Sequence, residues 1–170
     1  QGTLDEDEMR EGLKLGMIHH DVFPVFVMSA KKNMGSGRMM GFIDNVAPCP
    51  SEAKPEISTE GESIPFDPTK PTVLFVFKTH LEPNIGKLSL FKVISGEVST
   101  STELINSQTG AMERFHHLFI MDGKTRNPVD KLVAGDIGAT LKLKDTYTNQ
   151  TLHAKGYDVM VKEIEFPEPR

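Results

Sequence analysis

The sequence predicts a mainly β protein: an antiparallel barrel of six or so strands, preceded by a helix, a strand and a second helix of α/β type. Two observations carry this fold class. From Thr72 onward, short runs of β-branched and aromatic residues are separated by turns rich in Gly and Asn, with no helical pattern between them. Before residue 48, apolar residues recur at helical spacing on either side of one continuous apolar run.

Composition places the chain among ordered globular proteins. Its 170 residues are 38% hydrophobic and 25% charged, which excludes disorder throughout. Cys49 is the single cysteine, so no intramolecular disulfide can form and a reducing, cytoplasmic location is expected. The longest apolar stretches, such as residues 73–77, are far shorter than the roughly 20 residues of a membrane helix, so no membrane partner is expected.

The charge distribution indicates two units. Residues 1–66 hold eleven acidic against six basic residues and account for the whole net charge of −5, whereas residues 72–152 hold nine basic against eight acidic residues. This near-neutral balance neither requires nor excludes a nucleic-acid partner.

The first 47 residues read as the end of an α/β domain. Thr3 and Glu6 have capping-box spacing, which predicts a helix from about Leu4 to Met17. Residues 25–28 then predict a strand covered on both faces in a parallel sheet, which would self-associate if its neighbours are missing. A turn at 33–37 and helical spacing up to Pro48 predict the second helix.

Residues 48–71 contain six of the eleven prolines and four glutamates, and they predict an extended, mobile linker. Residues 72–155 form the predicted barrel, with strands at 73–79, 88–95, 103–107, 114–121, 136–142 and 150–153. Alternation places ten apolar side chains largely inside: Val73, Phe75, Phe77, Leu90, Val93, Leu104, Leu118, Ile120, Ile137 and Leu141. Residues 156–170 read as an exit segment toward a third domain, and we expect the chain to be a fragment of a longer protein.

Few residues carry recognisable chemistry. Ser29, Ala30 and Lys31 follow the predicted strand 25–28 at its carboxyl end, where open α/β sheets bind ligands. A glycine string at 35–41 approaches a dinucleotide loop, but its last glycine is one position late. No catalytic or metal site is predicted, because the adjacent histidine pairs cannot chelate one ion and Glu113, like the other barrel carboxylates, has no partner at a known spacing.

Several strings resemble bacterial elongation factor G, the ribosomal translocase, at the junction of its GTPase domain and its second domain. The stretch from Pro24 to Gly35 is similar to the family's fifth guanine-nucleotide motif, in which Ser29 and Ala30 stand as its Ser-Ala pair. The barrel resemblance runs through Gly86-Lys87-Leu88, Val93-Ile94-Ser95-Gly96, Glu113-Arg114, Ala134-Gly135-Asp136 and Leu143-Lys144-Asp145-Thr146. Similarity covers roughly residues 4–48 and 73–170. Departures at 121–122 and 148–152 favour a divergent paralogue.

The resemblance implies a translation-factor barrel, preceded by the remnant of a GTPase domain, within a GTP-driven ribosomal factor. The barrel would pack on its own GTPase domain and touch small-subunit RNA. GTP and magnesium would bind only the intact protein, with Ser29, Ala30 and Lys31 on the guanine side. This chain lacks the phosphate-loop, magnesium and Asn-Lys-x-Asp motifs, so the fragment is expected to have no enzyme activity and no cofactor of its own, whereas the parent would be a GTPase.

Two alternatives remain open. One is a stand-alone barrel that binds RNA or protein without GTP dependence. The other is a nicotinamide-dependent enzyme that uses the glycine string at 35–41.

Overall fold

The computed structural model describes residues 4–83 and 86–168. It divides into two compact units, Gln1–Lys54 and Pro55–Arg170. The first holds helices α1 (Glu6–Ile18) and α2 (Ser36–Asn45), and the second holds the strands. No helix in the described part of the chain has the length and apolarity needed to cross a membrane.

Helix α1 is capped by a different residue from the one predicted. Asp5, not Thr3, is the N-cap residue: its carboxylate accepts from the Glu8 backbone N–H at 2.8 Å, and the Glu8 carboxylate accepts from the Asp5 N–H at 3.1 Å. The predicted pair of Thr3 and Glu6 is therefore wrong, since Glu6 is the first residue of the helix and not the third, as a capping box requires; Thr3 lies outside the described residues. A carboxylate cap also interacts favourably with the helix dipole, which a hydroxyl does not.

The strand predicted at 25–28 does not form. These residues belong to no strand or β-bridge of the described structure, and the side chains of Val25 and Val27 are 88% and 99% exposed. An apolar run becomes a strand only beside partners that accept its backbone hydrogen bonds, and none of the described residues pairs with 25–28. Phe26 is the anchor of this segment, with its ring edge-to-face against Phe42 of α2 at 5.1 Å.

Helix α2 confirms the predicted second helix. Its N-cap is Gly35, whose φ of 84° favours glycine, and an added Cβ would lie 3.1 Å from the Val27 carbonyl oxygen. Gly37 and Gly41 are inside the helix. The glycine string at 35–41 is thus mostly helix and does not form a phosphate-binding loop.

The second unit is a curled, fully antiparallel sheet, which confirms the mainly β fold class. Its described residues form ten strands, where the sequence predicts six or so: β1 (Val73–Glu82), β2 (Gly86–Ser95), β3 (Glu97–Ser99), β4 (Glu103–Asn106), β5 (Met112–Arg114), β6 (Leu118–Asp122), β7 (Thr125–Val129), β8 (Lys131–Val133), β9 (Ile137–Leu141) and β10 (Gln150–His153). Eight strands pair in the order β5-β4-β10-β1-β2-β9-β6-β7, and β3 pairs with β8. The run predicted at 114–121 is split in two because residues 115–117 leave the ladder.

Two apolar clusters lie on opposite sides of β1. Leu74 and Val76 belong to the larger one, while Val73 and Phe75 pack with Ile64 and other residues in the smaller one. Successive side chains of a strand point to opposite faces, so burial of both faces explains the continuous apolar run that opens β1.

Residues on both flanks of the barrel build the second cluster. Ile64, from the proline-rich segment, is 2% exposed, and Val161, from the predicted exit segment, is 4% exposed. Ser58 forms a bridge with Val161, and Ile57 forms one with Ser63. Burial of one such aliphatic side chain contributes about 1.5–3 kcal/mol to the free energy of folding. Part of the predicted linker therefore packs on the sheet instead of extending freely.

Eight of the ten predicted core side chains are buried or half-buried, and two are exposed. Ile120 is 45% and Ile137 is 58% exposed. Strand β6 pairs with β9 only at Phe119, so Ile120 lies beyond the covered part of the sheet. In β9 the inward position is Gly138, where an added Cβ would clash with Leu132 Cδ1.

Candidate nucleic-acid interface

The predicted guanine-side residues form an exposed turn in the first unit. Ser29 and Met34 exchange two backbone hydrogen bonds of 2.9 and 3.0 Å, and the Asn33 N–H donates to the Ala30 carbonyl oxygen at 3.1 Å. Ser29 is half-buried, and Ala30 and Lys31 are exposed. The three residues are adjacent, as the sequence requires, and their turn leads directly into α2.

A different surface in the second unit carries more organised chemistry. Glu113 of β5 holds the loop after β9 in place, and its side chain is only 2% exposed. Its carboxylate accepts from the Lys144 N–H at 2.9 Å, the Asp145 N–H at 2.7 Å and the Thr146 hydroxyl at 2.8 Å. A buried carboxylate is tolerated only when such donors replace water, so Glu113 and this loop fix each other.

Asn106, at the end of β4, is the second support of the same loop. Its Nδ2 donates to the Asp145 carbonyl oxygen at 3.1 Å and to Gln150 Oε1 at 2.9 Å. Gln150 Oε1 in turn accepts from the Tyr147 N–H at 2.8 Å. Buried groups connected in this way restrain the loop backbone on two sides.

The restrained loop presents basic and aromatic side chains together. The Lys87 ammonium lies 4.1 Å from the centroid of the Tyr147 ring and donates to the Lys144 carbonyl oxygen at 3.1 Å. Lys142 sits at the start of the loop with a φ of 66°, and its N–H donates to the Lys87 carbonyl oxygen. Lys142, Lys144 and Tyr147 are exposed, and Asp145 is the exposed acidic residue among them.

This arrangement suits a nucleic-acid backbone. Lysine ammonium groups donate to phosphate oxygens, and a tyrosine ring offers a stacking face to a base. A loop that is already fixed loses little conformational entropy on binding. We define Lys87, Lys142, Lys144 and Tyr147 as the basic loop surface.

Other strings that carried the resemblance are structural. Gly96 has a φ of 72°, and an added Cβ would lie 2.6 Å from the Lys70 carbonyl oxygen. The Ala134 N–H donates to the Gly96 carbonyl oxygen at 2.9 Å, and Asp136 Oδ2 accepts from the Val133 N–H at 2.8 Å. These residues close a tight corner of the sheet.

Comparison with known proteins agrees with this architecture. The family model of elongation factor G domain 2 matches residues 71–155, which is half of the chain. The chain belongs to this family. It is therefore a translation-factor domain of a kind found in GTPase-family proteins.

A solved structure shows the same fold. The crystal structure of a protein from Thermus thermophilus is similar with a TM-score of 0.70 and 18% sequence identity. The match covers 98% of this chain but 22% of that chain. This chain thus spans about a fifth of the length of the Thermus protein.

In the sequence, Lys87 and Lys144 stand out only as parts of family strings, and Lys142 and Tyr147 belong to no motif named above. Two lysines and a tyrosine within residues 142–147 are a basic and aromatic signal of the kind found in nucleic-acid binders. Lys87 lies too far away in sequence to be added to that group without the β2 to β9 pairing.

Proposed function

We propose that this chain is part of a cytoplasmic, GTP-driven ribosomal translocation factor, a divergent bacterial paralogue of elongation factor G. In this proposal the basic loop surface contacts RNA of the small ribosomal subunit. The observation that carries the proposal is the loop at 142–149, which buried Glu113 and Asn106 hold in place while its lysines and Tyr147 face solvent. Such a surface would recognise the shape and backbone of RNA without reading bases.

GTP and magnesium belong to the proposal for the whole protein. The exposed turn at Ser29, Ala30 and Lys31 would form one wall of the guanine site once the rest of a GTPase domain surrounds it. Its backbone hydrogen bonds support that role, because they keep the turn in one shape. The barrel would pack on that GTPase domain, which is the chain's second proposed partner.

The exposed apolar segment before this turn supports the GTPase-domain context. Phe23, Val25 and Val27 are largely exposed, and parallel strands on both sides would cover them. Without those strands we propose that the isolated chain self-associates through residues 25–28. Sedimentation of the unsubstituted chain and of the Val25→Lys variant tests this. An unsubstituted chain that is monomeric at every concentration would contradict it.

The RNA contact is tested by binding of the chain to purified small ribosomal subunits across a salt series. The double variant Lys142→Gln with Lys144→Gln should weaken binding and lower the salt slope by about 1.4 to 1.8, because each phosphate contact contributes about 0.7–0.9. The control is Lys124→Gln with Lys155→Gln, two exposed lysines of the second unit outside this surface. Equal slopes for the two double variants would reject the basic loop surface as the RNA contact.

Binding to small ribosomal subunits also distinguishes the proposal from the alternative of a stand-alone barrel without GTP dependence. If the chain lies within a GTP-driven factor, the parent protein should bind subunits more tightly with a non-hydrolysable GTP analogue than with GDP. Equal affinity in both nucleotide states would favour an RNA-binding barrel without GTP dependence.

A further inference from the structure

A cavity of about 360 Å³ opens in the second unit between the segment 58–62, the end of β4 and the segment 157–160. Its floor includes Ser58, Asn106 and His153, all buried, and its walls include Ile105 and Val159. No residue of the basic loop surface lines it. The volume is within the range of small-ligand sites, and the mixture of apolar walls with a few polar groups is typical of them.

The rim of the cavity is acidic. Glu60, Glu62 and Asp158 line it and are exposed. Among the residues that the structure describes, no lysine or arginine forms an ion pair with these carboxylates. Their field favours a cation and disfavours an RNA phosphate.

His153 provides a second, independent observation. Its side chain is 3% exposed, and its Nδ1 lies 3.0 Å from the Ala154 carbonyl oxygen, which can only accept. In the neutral ring the proton therefore belongs on Nδ1, and Nε2 is left as an acceptor. Nε2 is 3.7 Å from Asp158 Oδ1, a separation between two acceptors that is too long for a hydrogen bond.

We propose that this cavity binds a primary ammonium group carried on an apolar stem. The ammonium would donate to His153 Nε2 and to the Asp158 carboxylate, and Ile105 and Val159 would contact the stem. An ammonium supplies three donors, which matches a site whose nearest groups are acceptors. Two sources share this chemistry: a lysine side chain of a protein partner and a free polyamine.

Binding is measured by amide chemical shifts of the full 170-residue chain during titration with Nα-acetyl-lysine N-methylamide. The matched ligand is the norleucine analogue, which keeps the stem and lacks the ammonium. We expect saturable shifts around residues 107–110 and 157–160 with the lysine compound and none with the norleucine compound. A third titration with spermidine distinguishes the two sources: tighter binding of spermidine assigns the site to a free polyamine, and tighter binding of the lysine compound to a protein partner.

The variant Asp158→Asn removes the negative charge of one proposed acceptor at an exposed position and should leave the fold intact. It should weaken binding of the lysine compound by up to about fivefold, the upper end of the range for an exposed ion pair, because the Asp158 side chain is 92% exposed. Asp122→Asn, on the exposed end of β6 and outside the cavity, is the control and should bind the lysine compound as tightly as the unsubstituted chain does. The proposal is overturned if neither amine saturates by about 10 mM, if norleucine shifts the same amides equally, or if the two variants bind alike.

Discussion

Replacement of Glu113 by glutamine tests the account of the basic loop most directly. The carboxylate is buried and accepts three hydrogen bonds, two from backbone N–H groups and one from the Thr146 hydroxyl. A hydrogen bond to a charged group contributes about 1.5–3 kcal/mol. Glutamine keeps one acceptor oxygen but turns an NH₂ group toward at least one donor, so we expect Glu113→Gln to lower the free energy of unfolding by about 2–4 kcal/mol.

The assay is urea unfolding followed by circular dichroism and by the fluorescence of Tyr147 and Tyr157. Glu103→Gln is the matched control, because Glu103 is exposed and lies 3.8 Å from the Arg114 guanidinium in a solvent-exposed ion pair. That variant should change stability by no more than about 1 kcal/mol. The reasoning is refuted if the free energy of unfolding of Glu113→Gln is within about 0.5 kcal/mol of that of the unsubstituted chain, which is the change that an ordinary surface substitution causes.

Four further predictions follow from other parts of the molecule. The Cys49 N–H and the Lys14 ammonium hold the pKa of Glu52 at about 2. The stabilisation that the ionised Glu52 gives is therefore complete at any pH above the ordinary pKa of a glutamate and is lost as the pH falls through about 2. A carboxyl NMR titration measures this pKa. Ile64→Ala should cost about 2–4 kcal/mol in urea unfolding, since the side chain is buried against β1. Gly96→Ala should cost more than about 2 kcal/mol, because it adds a backbone clash to a strained φ. The chain should bind GTP no more tightly than about 1 mM in calorimetry, an affinity of about 4 kcal/mol.

Controls make each of these results decisive. Gly110→Ala has a similar φ of 70° with open space around the added carbon, so it should cost less than Gly96→Ala; equal costs would remove the clash from the explanation. Ile57→Ala removes an exposed side chain and should cost less than Ile64→Ala. Glu62→Gln, in the other unit, should leave the Glu52 titration unchanged, whereas Lys14→Met should raise the pKa of Glu52. Micromolar GTP binding would mean that a nucleotide site lies elsewhere in the chain.

The sequence predicts those parts of the fold that local periodicity determines. Strand β10 was predicted at 150–153 and is observed there, and α2 follows its apolar spacing. The prediction of a strand at 25–28 is wrong because an apolar run indicates only that a segment needs partners that cover it. Whether partners are present depends on residues far from it in sequence, and the described chain supplies none.

The core errors have a related cause. Alternation selects the largest apolar side chains, and in β9 that choice includes Ile137, which is exposed. The structure uses Gly138 instead, because a missing side chain admits Leu132 and Phe91. Contact across strands therefore decides the inward face, and no periodicity within β9 encodes it.

The supports of the basic loop could not be predicted from spacing. Glu113 has no partner within reach in sequence, and its three donors lie 31 to 33 residues later. Two of those donors are backbone N–H groups, which every non-proline residue has and which leave no trace in composition. Only the exposed signal, Lys142, Lys144 and Tyr147, was available in the sequence.

One strand pair connects the two proposed sites. At the end of β4, Asn106 holds the basic loop, and the next residue, Ser107, donates its hydroxyl to the Val159 carbonyl oxygen at 2.7 Å. On β10, the Thr151 hydroxyl accepts from the Val161 N–H at 3.0 Å. Because β4 and β10 are paired, the buried polar groups that fix the basic loop surface and those that fix the cavity share one backbone ladder. Substitutions at Asn106, which also lines the cavity, should therefore act on both RNA binding and amine binding, whereas substitutions at Ser107 should act on amine binding; damage to the β4–β10 ladder should reduce both together.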